Sequence, residues 1–244
     1  MNKLFKYELR RLLVNKFFPG LLLVCIFYSS QLLEKSVILG VANTAPFSGW
    51  SYGYYLSSLM PVLLIALLFF ISFWYSPKER RVQAVTNATP TDPNRIKQLR
   101  GGAILAGMFL LTAAPVSLSL IFYKVNFHFT AFGDFFVPAL MTLVPAILFI
   151  LGMGMTLGRI HPAFIYGLMV LVLLWSALPL PAPLDLTGRW FFQDYPETAA
   201  MWADGEPAFK VPANVWMWKA FYSLAGILLI VFRPHRHIKK TVCK

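Results

Sequence analysis

Residues 76–100 read SPKERRVQAVTNATPTDPNRIKQLR. They carry six basic side chains, Lys78, Arg80, Arg81, Arg95, Lys97 and Arg100, against two acids, Glu79 and Asp92. The chain before them is free of charge from Ser36 to Pro77, and the chain after them from Gly101 to Tyr123. A membrane helix needs about 20 mostly apolar residues. A basic connection between two such runs therefore reads as the loop between two membrane helices.

Working outward, further runs supply more candidates. Six spans are predicted: Phe17–Leu33, Leu56–Tyr75, Gly101–Tyr123, Phe135–Leu157, Ile160–Leu180 and Val215–Phe232. The first is short, and the last is interrupted only by Lys219, which is expected to snorkel to the interface from the first turn. Composition agrees. Of the 244 residues, 58% are hydrophobic and only 13% charged, against roughly 45–50% and 25% in soluble domains. A soluble globule of this size could not cover itself with so few charges. The predicted fold is an all-α integral membrane protein, a single transmembrane domain over 1–244.

The net charge of +12 is unusual for so apolar a chain, and its distribution gives the orientation. Basic residues crowd into alternate connections: five in the N-terminal arm, six in 76–100, Arg159 alone in the fourth connection, and five in the tail from Arg233 to Lys244. The opposite side holds Lys35, Lys124, Arg189, Lys210 and Lys219. The excess of Lys and Arg marks the cytoplasmic side. Six spans also require both termini on one side, and both termini are basic. N- and C-termini are thus predicted to be cytoplasmic. Trp50, Trp175, Trp190, Trp202, Trp216 and Trp218 fall toward the other ends, as an interfacial aromatic belt would; an aromatic substrate site is the alternative.

Residues 1–16 precede the first span and read as an amphipathic interfacial helix. Phe5, Leu9, Leu12 and Leu13 share one face, and Lys3, Lys6 and Arg10 a neighbouring one, with Glu8 and Arg11 between. An apolar face beside a basic one suits anionic membrane lipid. Pro19 and Gly20 are expected to turn the chain into the first span.

Within 76–100, Ser76-Pro77-Lys78-Glu79 fits a capping box with proline at the first helical position. It predicts a helix from Pro77 to about Asn87, with Val82 and Val85 as a small apolar patch and Thr89-Pro90 as its end. Asp92-Pro93 repeats the signal and starts a second helix that runs into the third span. Residues 76–100 are therefore predicted to form a cytoplasmic hairpin. A solvated loop that only holds topology is the competing reading. The outer segment 181–214, long and acidic, is predicted to hold a short helix starting at Tyr195-Pro196-Glu197. Gly154 and Gly158 form a G-x-x-x-G pair, a weak signal for close helix packing.

Cys25 and Cys243 suggest neither a disulfide framework nor a metal site. Neither a phosphate loop nor an H-E-x-x-H motif occurs. No span carries a central Asp or Glu, the usual mark of ion coupling. A transporter driven by ions alone and an intramembrane hydrolase are both disfavoured. No nucleic-acid role is read from the charge.

With these features in place, the chain resembles the membrane subunit, or permease, of export-type (type-2) ABC transporters. The resemblance rests on Lys6-Tyr7-Glu8-Leu9 in a basic amphipathic start, on six spans, and on the second connection. There an acid followed by bases, Glu79-Arg80-Arg81, is followed by Thr86, by Thr89-Pro90 and by the basic helix at Arg95-Ile96-Lys97. It extends over nearly the whole chain with loose motifs. The resemblance implies a coupling helix formed by Glu79, Arg80, Arg81, Val82, Val85, Thr86 and Pro90, on which a separate ABC ATP-binding subunit docks. It implies a second permease, as homodimer or sister subunit, with the substrate passing between the two. ATP and Mg would belong to the partner subunit, this chain would bind no cofactor and catalyse no hydrolysis, and its place would be the bacterial plasma (inner) membrane. The outer segment before the last span would fold partly back into the membrane. A non-transporting six-span binding or immunity-type protein is the main alternative. A membrane-embedded enzyme is a third, and it lacks a convergent polar site.

Overall fold

The computed structural model describes residues 2–41, 44–76, 79, 93–181, 184–200 and 208–231. Among these residues the chain is all helical, with no strand. The helices are α1 (Asn2–Leu13), α2 (Phe17–Leu32), α3 (Gly49–Trp74), α4 (Pro93–Phe127), α5 (Phe136–Ile160), α6 (Ala163–Ala177), α7 (Arg189–Ala200) and α8 (Ala213–Val231). A π-helical turn, Leu33–Val37, prolongs α2, and a 3-10 turn, Phe132–Phe135, leads into α5.

Five segments are long and apolar enough to cross a membrane: Phe17–Val37, Gly49–Trp74, Leu99–Phe127, Phe132–Ile160 and Ala213–Val231. The first is longer than the sequence reading allowed, because the helix does not stop at Glu34-Lys35 but carries both through the π-turn. The predicted fifth span is shorter than expected. His161 is extended and Pro162 caps the next helix, so α6 starts at Ala163. It stops at Ala177 because Pro179 disfavours helical geometry at Leu178, which is extended. Fifteen residues rise about 22 Å, short of the ~30 Å hydrocarbon layer.

The central helix is α3. It packs against α2, α4, α5, α6 and α7, and most of its length is buried. The other helices turn large apolar side chains outward, such as Phe109 and Ile121 on α4, Leu173 and Leu174 on α6, and Phe221, Leu224 and Leu228 on α8. An apolar surface this extensive suits lipid rather than water.

Glycines set the closest crossings. On α5, Gly152 faces the backbone of Gly226 on α8, Gly154 faces Leu68 and Ile71 on α3, and Gly158 faces the Tyr75 ring. The G-x-x-x-G pair thus works inside this chain, against α3 and the residue that follows it. Tyr75 adds a hydrogen bond from its hydroxyl to the Met155 carbonyl at 2.9 Å. Toward the other end of α3, the Tyr55 hydroxyl donates to the Pro115 carbonyl at 3.0 Å and lies 2.6 Å from Ser29 Oγ. Tyr55 has one proton, so Ser29 is the donor in that pair. Helices α2, α3 and α4 are pinned by these two bonds.

Candidate functional site

Helix α1 forms as predicted, but its apolar face lies on protein. Phe5, Leu9 and Leu13 pack on the core and Leu12 is buried. The helix lies along the start of α4. Gly107 permits this approach, since a side chain there would collide with Leu12. The turn into α2 comes at Val14–Lys16, before Pro19. Pro19 and Gly20 sit inside the first turn of α2, where a missing N–H is tolerated because that donor has no intrahelical partner.

One consequence of this docking is a closed ring of four charges. Arg100 donates from Nη2 to Glu79 Oε1 at 2.6 Å and from Nε to Glu8 Oε1 at 3.3 Å. Arg11 donates from Nη2 to Glu79 Oε2, and its Nη1 lies 4.0 Å from Glu8 Oε2. Acids and bases alternate around the ring: Glu8, Arg11, Glu79, Arg100. Three chain segments meet in it, namely α1, the residues just past α3, and the start of α4. The Glu79 side chain is fully buried and those of Arg100 and Glu8 nearly so, while Arg11 is about a third exposed, at 30%. The Arg11 guanidinium also lies over the Phe73 ring, 5.5 Å from its centre. The Glu79 hydrogen bond, acting against partial burial, pushes Arg11 above its ordinary value.

Buried charges persist only when paired and hydrogen-bonded. The ring has no net charge, since two carboxylates face two guanidiniums, and both Glu79 oxygens are hydrogen-bonded, whereas Glu8 Oε2 has only the 4.0 Å ion pair with Arg11. It joins α1 to the ends of α3 and α4, whose packing there is otherwise largely apolar. Charge-assisted bonds fix register there.

The capping box at Ser76 is half present. The Glu79 N–H donates to Ser76 Oγ at 3.4 Å. The Glu79 carboxylate does not reach back to the cap, because both its oxygens are occupied by arginines. Of the predicted coupling residues, Glu79 is therefore the one the structure locates, and it lies inside the protein. Arg80, Arg81, Val82, Val85, Thr86 and Pro90 lie outside the described residues. The second helix of the hairpin begins at Pro93, as the Asp92-Pro93 signal predicts, and continues unbroken through α4. On α1, Lys6 and Arg10 are exposed, whereas Glu8 and Arg11 face the ring. The Lys3 side chain is outside the described set. Sequence reasoning missed Arg100 as a partner. The available signal was scarcity, for Glu8 and Glu79 are two of only three acids among seventeen bases in the segments predicted to be cytoplasmic.

The opposite end holds a second polar knot, also unanticipated. The Asp185 carboxylate accepts from the backbone N–H groups of Gly188, Trp190 and Phe191 at 2.8, 3.0 and 3.1 Å. It thereby caps α7, which begins at Arg189 rather than at Tyr195. Pro196 lies within α7 instead of near its start. Helix α7 is held by Trp50, whose ring packs with Phe191, Phe192, Tyr195 and Phe209. Lys219 does not snorkel. It is buried at 3% exposure, and its Nζ donates to the carbonyls of Asp185 and Leu186 at 2.9 and 2.8 Å. The loop before α7 supplies these carbonyls directly above it, so the ammonium is satisfied inside the protein. Trp190 is stapled by its indole N–H to the Leu178 carbonyl at 2.6 Å, and Trp175 to that of Leu184 at 2.6 Å.

Among the described residues, no group of three His, Cys, Asp or Glu side chains is placed to hold a metal ion. No family model, curated protein or solved structure matches the chain.

Proposed function

We propose that the chain is the membrane-spanning permease subunit of an ATP-driven ABC exporter of the type-2 class. In this reading α6 completes a set of six spans, both termini are cytoplasmic, and the protein resides in a bacterial plasma membrane. Two permeases pair to enclose the substrate path. A separate ATP-binding subunit docks on residues 76–100, so ATP and Mg are handled by the partner.

What carries the reading is the charge ring. A subunit that receives force at the α3–α4 connection needs that connection tied rigidly to the helices it must move. Glu79 is the first acid of the connection, and Arg11 and Arg100 bind it to α1 and α4. Nucleotide-driven movement of the docked subunit would then tilt α3 and α4 with α1 attached. Arg80 and Arg81, next along the chain, would meet the partner.

Affinity purification of the chain from its native membrane tests this. An ATP-binding subunit is expected to co-purify, with its yield reduced by charge reversal at Arg80 and Arg81. Repeated recovery without any nucleotide-binding partner would overturn the proposal in favour of a non-transporting membrane protein.

A further inference from the structure

At the end of the molecule opposite the charge ring, a cleft of about 630 Å³ opens between three connections: the one before α3, the α4–α5 turn, and the strand of chain before α8. Its walls include Phe47, Trp50, Phe129, Val137 and Phe209, and its one charged lining residue is Asp134. The volume lies in the range of small-molecule sites.

The aromatic walls are built, not incidental. Phe47 stacks on Phe129 with ring centres 5.4 Å apart, and Phe209 meets Trp50 edge to face at 4.9 Å. Ser48 fixes the start of α3 by accepting from the Ser51 N–H at 3.2 Å, which holds Gly49 and Trp50 in the wall. Gly49 lies against the Phe209 ring and a side chain there would collide with it. Asp134 sits in the 3-10 turn Phe132–Phe135, exposed, and its carboxylate makes no hydrogen bond or ion pair with the described residues. An unpaired carboxylate in a cleft whose larger side chains are mostly aromatic matches one ligand chemistry. The aromatic faces attract a cation whose charge is diffuse, the carboxylate neutralises it, and the apolar wall covers its alkyl groups.

We propose that this cleft binds an organic ammonium ion, with Asp134 as the counter-ion and Phe47, Phe129 and Phe209 as its aromatic walls. A strongly hydrated metal ion or a primary amine without alkyl cover gains little from such walls. Because the cleft lies at the ends of α3, α5 and α8, the ammonium has two sources: a choline lipid headgroup or a free small molecule. The proposal does not depend on the transport reading.

Calorimetric titration of benzyltrimethylammonium into the full chain tests it, with protein in nanodiscs of phosphatidylglycerol and, separately, of phosphatidylcholine, and with empty discs subtracted. Saturable binding of one ion per chain is expected in phosphatidylglycerol. Asp134→Asn is expected to weaken it about tenfold or more, through loss of the counter-ion, and Phe47→Leu to weaken it severalfold, through loss of an aromatic ring. Both positions are exposed, and an unchanged melting temperature verifies each variant. Binding suppressed in phosphatidylcholine assigns the site to the lipid headgroup. Equal binding in the two lipids assigns it to a free cation. Absence of saturable binding in both lipids, or an affinity unchanged by Asp134→Asn, would overturn the proposal.

Discussion

Arg100 and Glu79 stand 21 residues apart in sequence, yet an Arg100 guanidinium nitrogen lies 2.6 Å from a Glu79 carboxylate oxygen inside the protein. The chain between them is the connection read first from the sequence, so its two ends are locked together by a buried ion pair. Removing one partner leaves the other charged and buried, which costs about 3–5 kcal/mol. Glu79→Gln is therefore expected to lower the melting temperature of the purified protein sharply. Members of one network are not additive. Glu79→Met with Arg100→Met should cost less than the two single changes combined, by about 1–3 kcal/mol. Strict additivity would show that the pair is not coupled.

Arg11 closes the same ring from α1, and its expected pH behaviour follows from the direction of its shift. Its value is raised above that of a free guanidinium, chiefly by the Glu79 hydrogen bond. A base raised in the folded state contributes its full stability below the unfolded value and loses it only as pH climbs through the folded one. The difference in melting temperature between the native protein and Arg11→Gln should thus stay flat from roughly pH 6 to 9. Arg11→Lys is expected to cost about 1–2 kcal/mol, because a single ammonium cannot serve Glu79, Glu8 and the Phe73 face together. Lys6→Ala and Arg10→Ala, on the exposed side of α1, should stay within about 0.5 kcal/mol.

How far the sequence could be read depended on the range of the interaction. Helix α1, the start of α4 at Pro93 and the apolar spans are written in local periodicity, caps and charge-free runs. The charge ring is not, because it joins residues 8, 11, 79 and 100, and no local rule pairs them. Lys219 failed for the same reason. Its depth was judged from its own helix, while its partners come from a loop more than thirty residues earlier. Helix α7 was misplaced because Asp185 caps it from four residues before Arg189, through a turn at Gly188 whose φ is +81°. The usual cap signal sits immediately before the helix. The shortness of α6 is written in Pro179, but a run of uncharged residues does not reveal it, because proline acts on the backbone of the residue before it.

The knot at Asp185 and Lys219 can be tested by local rather than global stability. Asp185→Asn turns one acceptor oxygen into a donor that faces backbone N–H groups, and should cost about 1–2 kcal/mol. Amide hydrogen exchange is expected to quicken in α7 while α3 stays protected. Lys219→Met leaves two buried carbonyls unsatisfied, at about 1–3 kcal/mol. If Lys219 were only an interfacial anchor, Lys219→Met would leave exchange in the loop before α7 unchanged.

Glycines give the sharpest contrast between positions that look alike in sequence. Gly226 and Gly167 both lie within apolar helices. A methyl group on Gly226 would strike the Leu148 carbonyl, where α8 crosses α5, whereas one on Gly167 meets nothing within 4 Å. Backbone cannot move aside as a side-chain tip can, so Gly226→Ala is expected to destabilise by about 1–3 kcal/mol. Gly167→Ala removes only the conformational freedom of glycine within a helix and should stabilise by about 0.5–1 kcal/mol. Thermal melting of the two variants in the same detergent reads the difference directly. Equal melting temperatures would mean that α5 and α8 do not cross at Gly152 and Gly226.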